Sequence, residues 1–294
     1  MPRAALLSIH ARVEGTQPST WEDPSLVQLW GPRYSAYVVA ACDIAPFSLG
    51  RLPDEAGKRK LAHDMAARLH ATLDGRRVAY GEAAPGGVHP NAVRYAAPTG
   101  TVLIRWDGAR RPTVWTVPPP DVDPHDARLE LARRYLHVFG PATPGGFARW
   151  AGIPTRRGGA AFDDLGTEVT PVRTTIGDAW ILSNDEASFG SAPGPAAPAR
   201  LLPSGDAYFL LQGNERDLLV EDADRRGTLW TPRVWPGALL VEGEVVGTWR
   251  RADATITVRP WRRLSRAAAD AVETEAAALP LPGVQGRIVV RWAD

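Results

Sequence analysis

Apolar residues recur at helical spacing in DARLELARRYLHVF, where Leu129, Ala132, Leu136 and Phe139 stand on one face. Gly140-Pro141 predicts the end of that helix. Thr143 followed by Pro144 predicts the cap and first position of the next, with Phe147 and Trp150 facing inward. After Gly152 a third short helix is expected from about Thr155 through Ala160, Ala161, Phe162 and Leu165. The period then changes from helical to alternating. EVTPVRTTIGDAWILS predicts two antiparallel strands that turn at Gly177-Asp178.

The preceding segment follows the same grammar. Leu61, Met65, Leu69 and Leu73 mark one helix face in KRKLAHDMAARLHATLDG. A Gly/Pro-rich break, GEAAPGGVHP, leads to a short helical piece at NAVRYAA. TVLIRWDGARRPTVWTV then predicts two strands around Asp107-Gly108, a strong hairpin signal. Helices followed by a hairpin is the order of a winged helix, a relative of the helix-turn-helix. A third, shorter copy opens the chain, with a helix at AALLSIHARVEG and a hairpin in LVQLWGPRYSAYVV around Gly31-Pro32.

From about Ser188 the pattern shifts. SFGSAPGPAAPAR is too poor in large apolar residues to pack a core. Beyond it, LLPSGDAYFLL, GALLVEGEVVGTWRR, TITVRPW and GRIVVRW read as strands, with turns at Glu242-Gly243 and Ala252-Asp253. SRAAADAVETEAAAL is a helix capped by Ser265. The expected fold is therefore α+β: tandem winged-helix domains followed by a small antiparallel β-barrel or sheet with one helix. The expected divisions are a shortened winged-helix unit over 1–50, winged helices over 51–122 and 123–187, and a linker with the barrel-like domain over 188–294.

Composition narrows the class without naming it. The 294 residues suffice for two or more compact units, and 44% hydrophobic with 23% charged content is ordinary for a folded chain. No apolar run is long enough to cross a bilayer, and the first residues lack the apolar stretch of a signal peptide. The single cysteine, Cys42, excludes internal disulfides and cysteine-rich zinc sites, and fits a reducing cytoplasm. Net charge is +1, so overall charge does not announce a nucleic-acid partner. Placement says more. Lys58 and Lys60 are the only lysines, and arginine, whose planar fork suits phosphates and guanine edges, supplies the remaining positive charge.

No phosphate-cradling Gly-rich loop with lysine, no HExxH and no GxSxG is present. Glu221, Asp222 and Asp224 read as a solvated loop rather than a cation site. His63 and His70 lie two turns apart, too far for a metal pair on one face, so neither a metal nor a cofactor is expected. The candidate DNA contacts are Arg105, Arg110 and Arg111 at the middle hairpin, and Arg156 and Arg157 at the start of the helix expected to read DNA. Asp163 and Asp164 on that helix would repel phosphates and count against deep groove reading. The expected partner is double-stranded DNA, the expected state a monomer.

Four ordered stretches carry a family resemblance. LVQLWGPRYSAYVV is similar to "LVRTWxxRGTLHLV", and ARLELARRYLHVFGPATPGGFARWAG to "LARRYLxxFGPAT…FxxWxG". RLLPSGDAYFLL and VEGEVVGTWRR are similar to "LLPxxDxYLL" and "DGxVVGTWRR". Together they resemble the AlkZ-like winged-helix DNA glycosylases. The resemblance implies excision of alkylated bases, including bulky adducts and crosslinks, through an oxocarbenium-like state. It also implies a catalytic Gln-apolar-Gln or Gln-apolar-Asp motif just before the helix matched by AALLSIHARV. Gln17, Gln28, Gln212 and Gln285 are the chain's glutamines, and none has Gln or Asp two residues later. The motif arginine is Arg33, a further candidate DNA contact, while Tyr37 stands where the family has His. No residue is assigned as catalytic. The alternative is a non-catalytic winged-helix binder or regulator.

Overall fold

The computed structural model describes residues 2–84, 86–106, 112–175, 177–192, 194–211, 213–284 and 286–293. The chain divides into two compact units, one formed by residues 1–2 and 22–186, the other by 3–21 and 187–294.

In the first unit, β1 (Leu26–Trp30) and β2 (Ala36–Ala40) form the first expected hairpin, with Trp30 opposite Ala36. After α2 (Ile44–Ser48) and α3 (Ala56–Leu73) come β3 (Val78–Ala79), a tight helical stretch over Pro90–Thr99, β4 (Val102–Arg105) and β5 (Thr113–Thr116). The two hairpins do not stand apart. Gln28 of β1 pairs with Ile104 of β4, giving one sheet in the order β2-β1-β4-β5-β3. Burial on both faces explains the fusion. Val27 and Leu29 pack with Val39, Leu103 and Phe47, whereas Trp30 packs on the other side with Met65, Leu69, Ile104 and Val114. A strand apolar on both faces needs cover on both. The buried face of α3 is Ala62, Met65, Ala66, Leu69 and Leu73, and the expected Leu61 is exposed.

The second half of this unit follows the predicted order: α4 (Pro124–Phe139), α5 (Pro144–Ala151), α6 (Thr155–Leu165), β6 (Val169–Thr174) and β7 (Gly177–Leu182). Asp123 caps α4 by accepting from the His125 N–H at 2.7 Å, and Thr143 caps α5 through the Gly146 N–H at 3.0 Å. The buried stripe of α4 centres on Leu131, Ala132, Tyr135 and Leu136, so Leu129 and Phe139 lie at its edges. Thr174 faces Gly177 and Arg173 faces Asp178 across the hairpin, so Gly177-Asp178 open the second strand instead of forming the turn.

The second unit holds α1 (Pro2–His10), α7 (Glu186–Gly190, begun at the boundary), β8 (Ala199–Leu202), α8 (Ala223–Leu229), β9 (Gly237–Val241), β10 (Glu244–Ala252), β11 (Thr255–Pro260), α9 (Arg266–Ala278) and β12 (Val289–Trp292). The helix expected to open the first hairpin unit packs here instead, with Leu7 against Leu201, Leu239 and Val258. Glu242 and Gly243 take left-handed φ values of 51° and 86°, the requirement of a tight hairpin turn. The strands form an open sheet in the order β12-β11-β10-β9-β8, with β12 parallel to β11. The barrel alternative is corrected on this point. Helix α9 covers one face through Val272 and Ala276, while Phe209, Leu229 and Trp230 cover the other against Ala238 and Leu240. With both faces buried, closure is not needed to hide apolar surface. More than the one expected helix is present. Asp222 caps α8 by accepting from the Asp224 and Arg225 N–H groups, which gives the acidic stretch a helix-starting role. Among the described residues no helix is long and apolar enough to cross a membrane.

Candidate nucleic-acid interface

Arg33 lies in the five-residue loop between β1 and β2, exposed, with φ +54°. The loop is seated on the end of α5. Gly152 closes that helix at φ +73°, and a Cβ placed there would meet the Arg33 backbone at 3.1–3.2 Å. Only glycine satisfies both the left-handed backbone and the close approach. Arg33 makes no hydrogen bond or ion pair with a described residue.

Beneath the loop lies a cation that sequence reading missed. Arg51 is 5% exposed and donates through Nε to Ala151 O at 3.1 Å and through Nη1 to Trp30 O at 3.0 Å, with Phe47 O at 3.4 Å. Burial draws its guanidinium down to about 10, partly offset by the rings of Tyr34 and Tyr37, so it remains charged at neutral pH. Tyr37 packs edge-on against Trp150 with centroids 6.5 Å apart. Burial pushes the Tyr37 phenol up to about 12 against the opposing pull of Arg33 and Arg51. The neutral phenol is therefore favoured by folding. Its stabilising contribution is whole below the unfolded value near 10 and is lost as pH rises towards about 12. Ultraviolet titration is expected to show Tyr37→Phe losing one high-pH phenolate transition and part of the alkaline drop in stability. An unchanged titration would refute the assignment.

Arg156 and Arg157 occupy the first turn of α6 but face different surroundings. Arg156 is exposed and has no hydrogen bond or ion pair to a described residue. Arg157 is 6% exposed, donating from Nη2 to Leu52 O at 2.7 Å and to Asp54 Oδ1 at 2.9 Å, with Nε 2.6 Å from Asp54 Oδ2. Its guanidinium is committed to the protein's own interior, which removes it from the expected phosphate contacts. Arg128, also buried, donates to Gly50 O at 3.1 Å and reaches Asp54 at 3.4 Å, and Arg59 reaches the same carboxylate at 3.3 Å. Burial lowers Arg128 below its usual value despite the pull of Asp54. A cavity of about 280 Å³ opens here between Asp54, His125, Arg128, Arg156 and Asp164. Arg157 also lines it, and of the three lining arginines Arg128 and Arg157 are turned to Asp54, which leaves Arg156 as the guanidinium without a hydrogen bond or ion pair to a described residue. Asp164 lies 3.9 Å from His125, and Asp163 is exposed.

Arg105 ends β4, half-buried, beside Trp106, whose N–H is held by Gln28 Oε1 at 2.9 Å. Arg110, Arg111 and the Asp107-Gly108 turn lie outside the described residues. His63 and His70 are both exposed on α3, and Asp64 pairs with Lys60 at 2.6 Å. Nothing local marks Arg51 or Asp54, because their partners come from up to 100 and 103 residues away.

A sequence model of the DNA glycosylase AlkZ-like family matches residues 1–280. The chain belongs to that family. An "Interstrand DNA cross-link repair glycosylase" of Streptomyces sahachiroi is 31% identical over 175 residues, 58% of this chain and 46% of that protein, so the match spans less than half the relative's length. The solved structure of Streptomyces sahachiroi DNA glycosylase AlkZ superposes with a TM-score of 0.77 over 99% of this chain and 89% of that one, at 20% identity. That likeness establishes the fold. Within this AlkZ-like chain two motif positions have structural roles. Asp206 of LLPSGDAYFLL is buried, and Trp249 of VVGTWRR donates from its ring to Leu202 O at 2.8 Å.

Proposed function

We propose that this AlkZ-like protein binds double-stranded DNA and recognises alkylated or crosslinked bases, with little or no base release by the 294-residue chain. The observation that carries the reading is the family match over residues 1–280. It is supported by Arg33 and Arg156, exposed cations without a hydrogen bond or ion pair to a described residue, and by the cavity that Arg156 lines. Residues 123–187 serve in this reading as a winged-helix unit, with α6 as its DNA-facing helix and Arg156 on a phosphate. Arg105, Arg110 and Arg111 would supply the wing contacts. The weak-catalysis part rests on the glutamines, none of which is followed two residues later by Gln or Asp.

An active glycosylase is the second reading, favoured by the name of the Streptomyces sahachiroi relative. Binding and base release are measured on one duplex containing 7-alkylguanine. Affinity is expected to fall steeply with salt, by a logarithmic slope of about 0.9 per phosphate neutralised. Arg156→Ala is expected to lower that slope by about one unit. Absence of binding at low salt would refute DNA recognition. Rapid formation of abasic sites would refute the weak-catalysis part and establish the second reading.

A further inference from the structure

The β1–β2 loop holds two consecutive left-handed residues, Arg33 at φ +54° and Tyr34 at φ +57°. Such a backbone costs an L-residue about 1–2 kcal/mol. Glycine takes this conformation freely and a tyrosine does not, so Tyr34 at the second position calls for a compensating role for its ring. The ring is held from several sides. Arg51 Cζ lies 5.1 Å from its centroid and Arg94 Cζ 5.9 Å, both within cation–π range. Tyr95 meets it edge to face at 5.5 Å and 88°, and is itself 39% exposed.

The charges around these rings are not neutralised. Arg94 also lies 5.8 Å from the Tyr95 ring, and its Nε is buried without a hydrogen-bond partner. Arg51 donates to carbonyls and Arg33 makes no hydrogen bond or ion pair with a described residue, so none of the three guanidiniums is paired with a carboxylate among the described residues. Aromatic faces at the surface together with unneutralised guanidiniums are the two features that hold an unstacked base and its phosphates. An acidic protein surface would satisfy the charges and leave the exposed ring without a matching partner. A fully paired duplex likewise presents no free base face.

We propose that Tyr34 and Tyr95 form a stacking seat for an unpaired nucleobase in DNA, with Arg33 and Arg94 directed to its flanking phosphates. The proposal rests on the DNA-binding reading above and adds a preference for unpaired bases. It also gives the left-handed tyrosine a purpose: the buried Arg51 fixes the inner side of Tyr34 so that the Tyr34–Tyr95 pair is preformed before the base arrives.

The test uses the full chain and two DNA duplexes, one fully paired and one with a single unpaired 2-aminopurine. Binding is followed by anisotropy, and base stacking by 2-aminopurine fluorescence. The wild type is expected to bind the unpaired-base duplex more tightly and to quench its fluorescence. Tyr95→Ala and Tyr34→Gly are each expected to lose roughly 5- to 100-fold in affinity for that duplex, the range of one base–aromatic stack. Affinity and salt slope on the paired duplex stay unchanged. Tyr95→Trp keeps both preference and quenching. Tyr34→Gly places glycine at a left-handed position, so its melting temperature reads folding separately. The seat alone is refuted if wild type binds paired DNA without a preference for the unpaired base. It is equally refuted if the variants leave the preference intact or weaken both duplexes alike. A wild type that binds neither duplex refutes the seat together with the DNA-binding reading.

Discussion

Arg12→Ala is expected to destabilise the second unit by about 3–4 kcal/mol, the cost of leaving a buried charge without its partner. Asp206 is 1% exposed and receives two hydrogen bonds from Arg12, at 2.9 and 2.7 Å, plus one from the Tyr208 N–H at 2.9 Å. The Asp206 hydrogen bonds hold the Arg12 guanidinium above its usual value. Without Arg12 the carboxylate keeps one neutral donor in an interior that disfavours its charge. Urea unfolding at neutral pH tests this. The double variant Arg12→Ala/Asp206→Asn is expected to regain part of the loss, since the amide carries no charge. A loss below about 1 kcal/mol at neutral pH, the worth of an exposed pair, would contradict the account.

Arg51→Ala is expected to destabilise the first unit by about 3 kcal/mol. The loss comes from buried carbonyls left without donors. Trp30 O, Phe47 O and Ala151 O belong to three separate segments, and one guanidinium spans them. Arg51→Lys should rescue little, because a single ammonium group lacks the fork that reaches Ala151 and Trp30 together. The same change withdraws the inner support of the Tyr34 ring. Equilibrium unfolding of the three proteins decides the matter: a lysine variant as stable as the wild type would show that charge, not the fork, is what the interior requires.

The contrast between Arg156 and Arg157 shows how far local sequence reaches. Both were legible as cations at the start of α6, and the helix begins where Pro154 and Thr155 place it. Which one faces solvent depends on Asp54, from a segment 103 residues earlier in the chain. Adjacent helical residues point about 100° apart, so one arginine meets the carboxylate while its neighbour stays exposed. Gln28 is similar. Alternation made its segment a strand, but only the fused sheet put its Oε1 on the Trp106 N–H.

By itself the sequence determined the helix–helix–helix–hairpin order of 124–182, the caps at Thr143 and Ser265, the Glu242-Gly243 reversal and the motifs of the AlkZ-like family. Those features depend on periodicity, turn conformation and side chains a few positions apart. The tertiary structure alone decided the joining of the two hairpins, the placement of Leu7 in the second unit, the opening of the C-terminal sheet and the burial of Arg51 and Arg157. The physical reason is that burial and charge pairing are settled between segments as far apart as the 194 residues separating Arg12 from Asp206. No local pattern encodes which distant surface will exclude water from a given side chain.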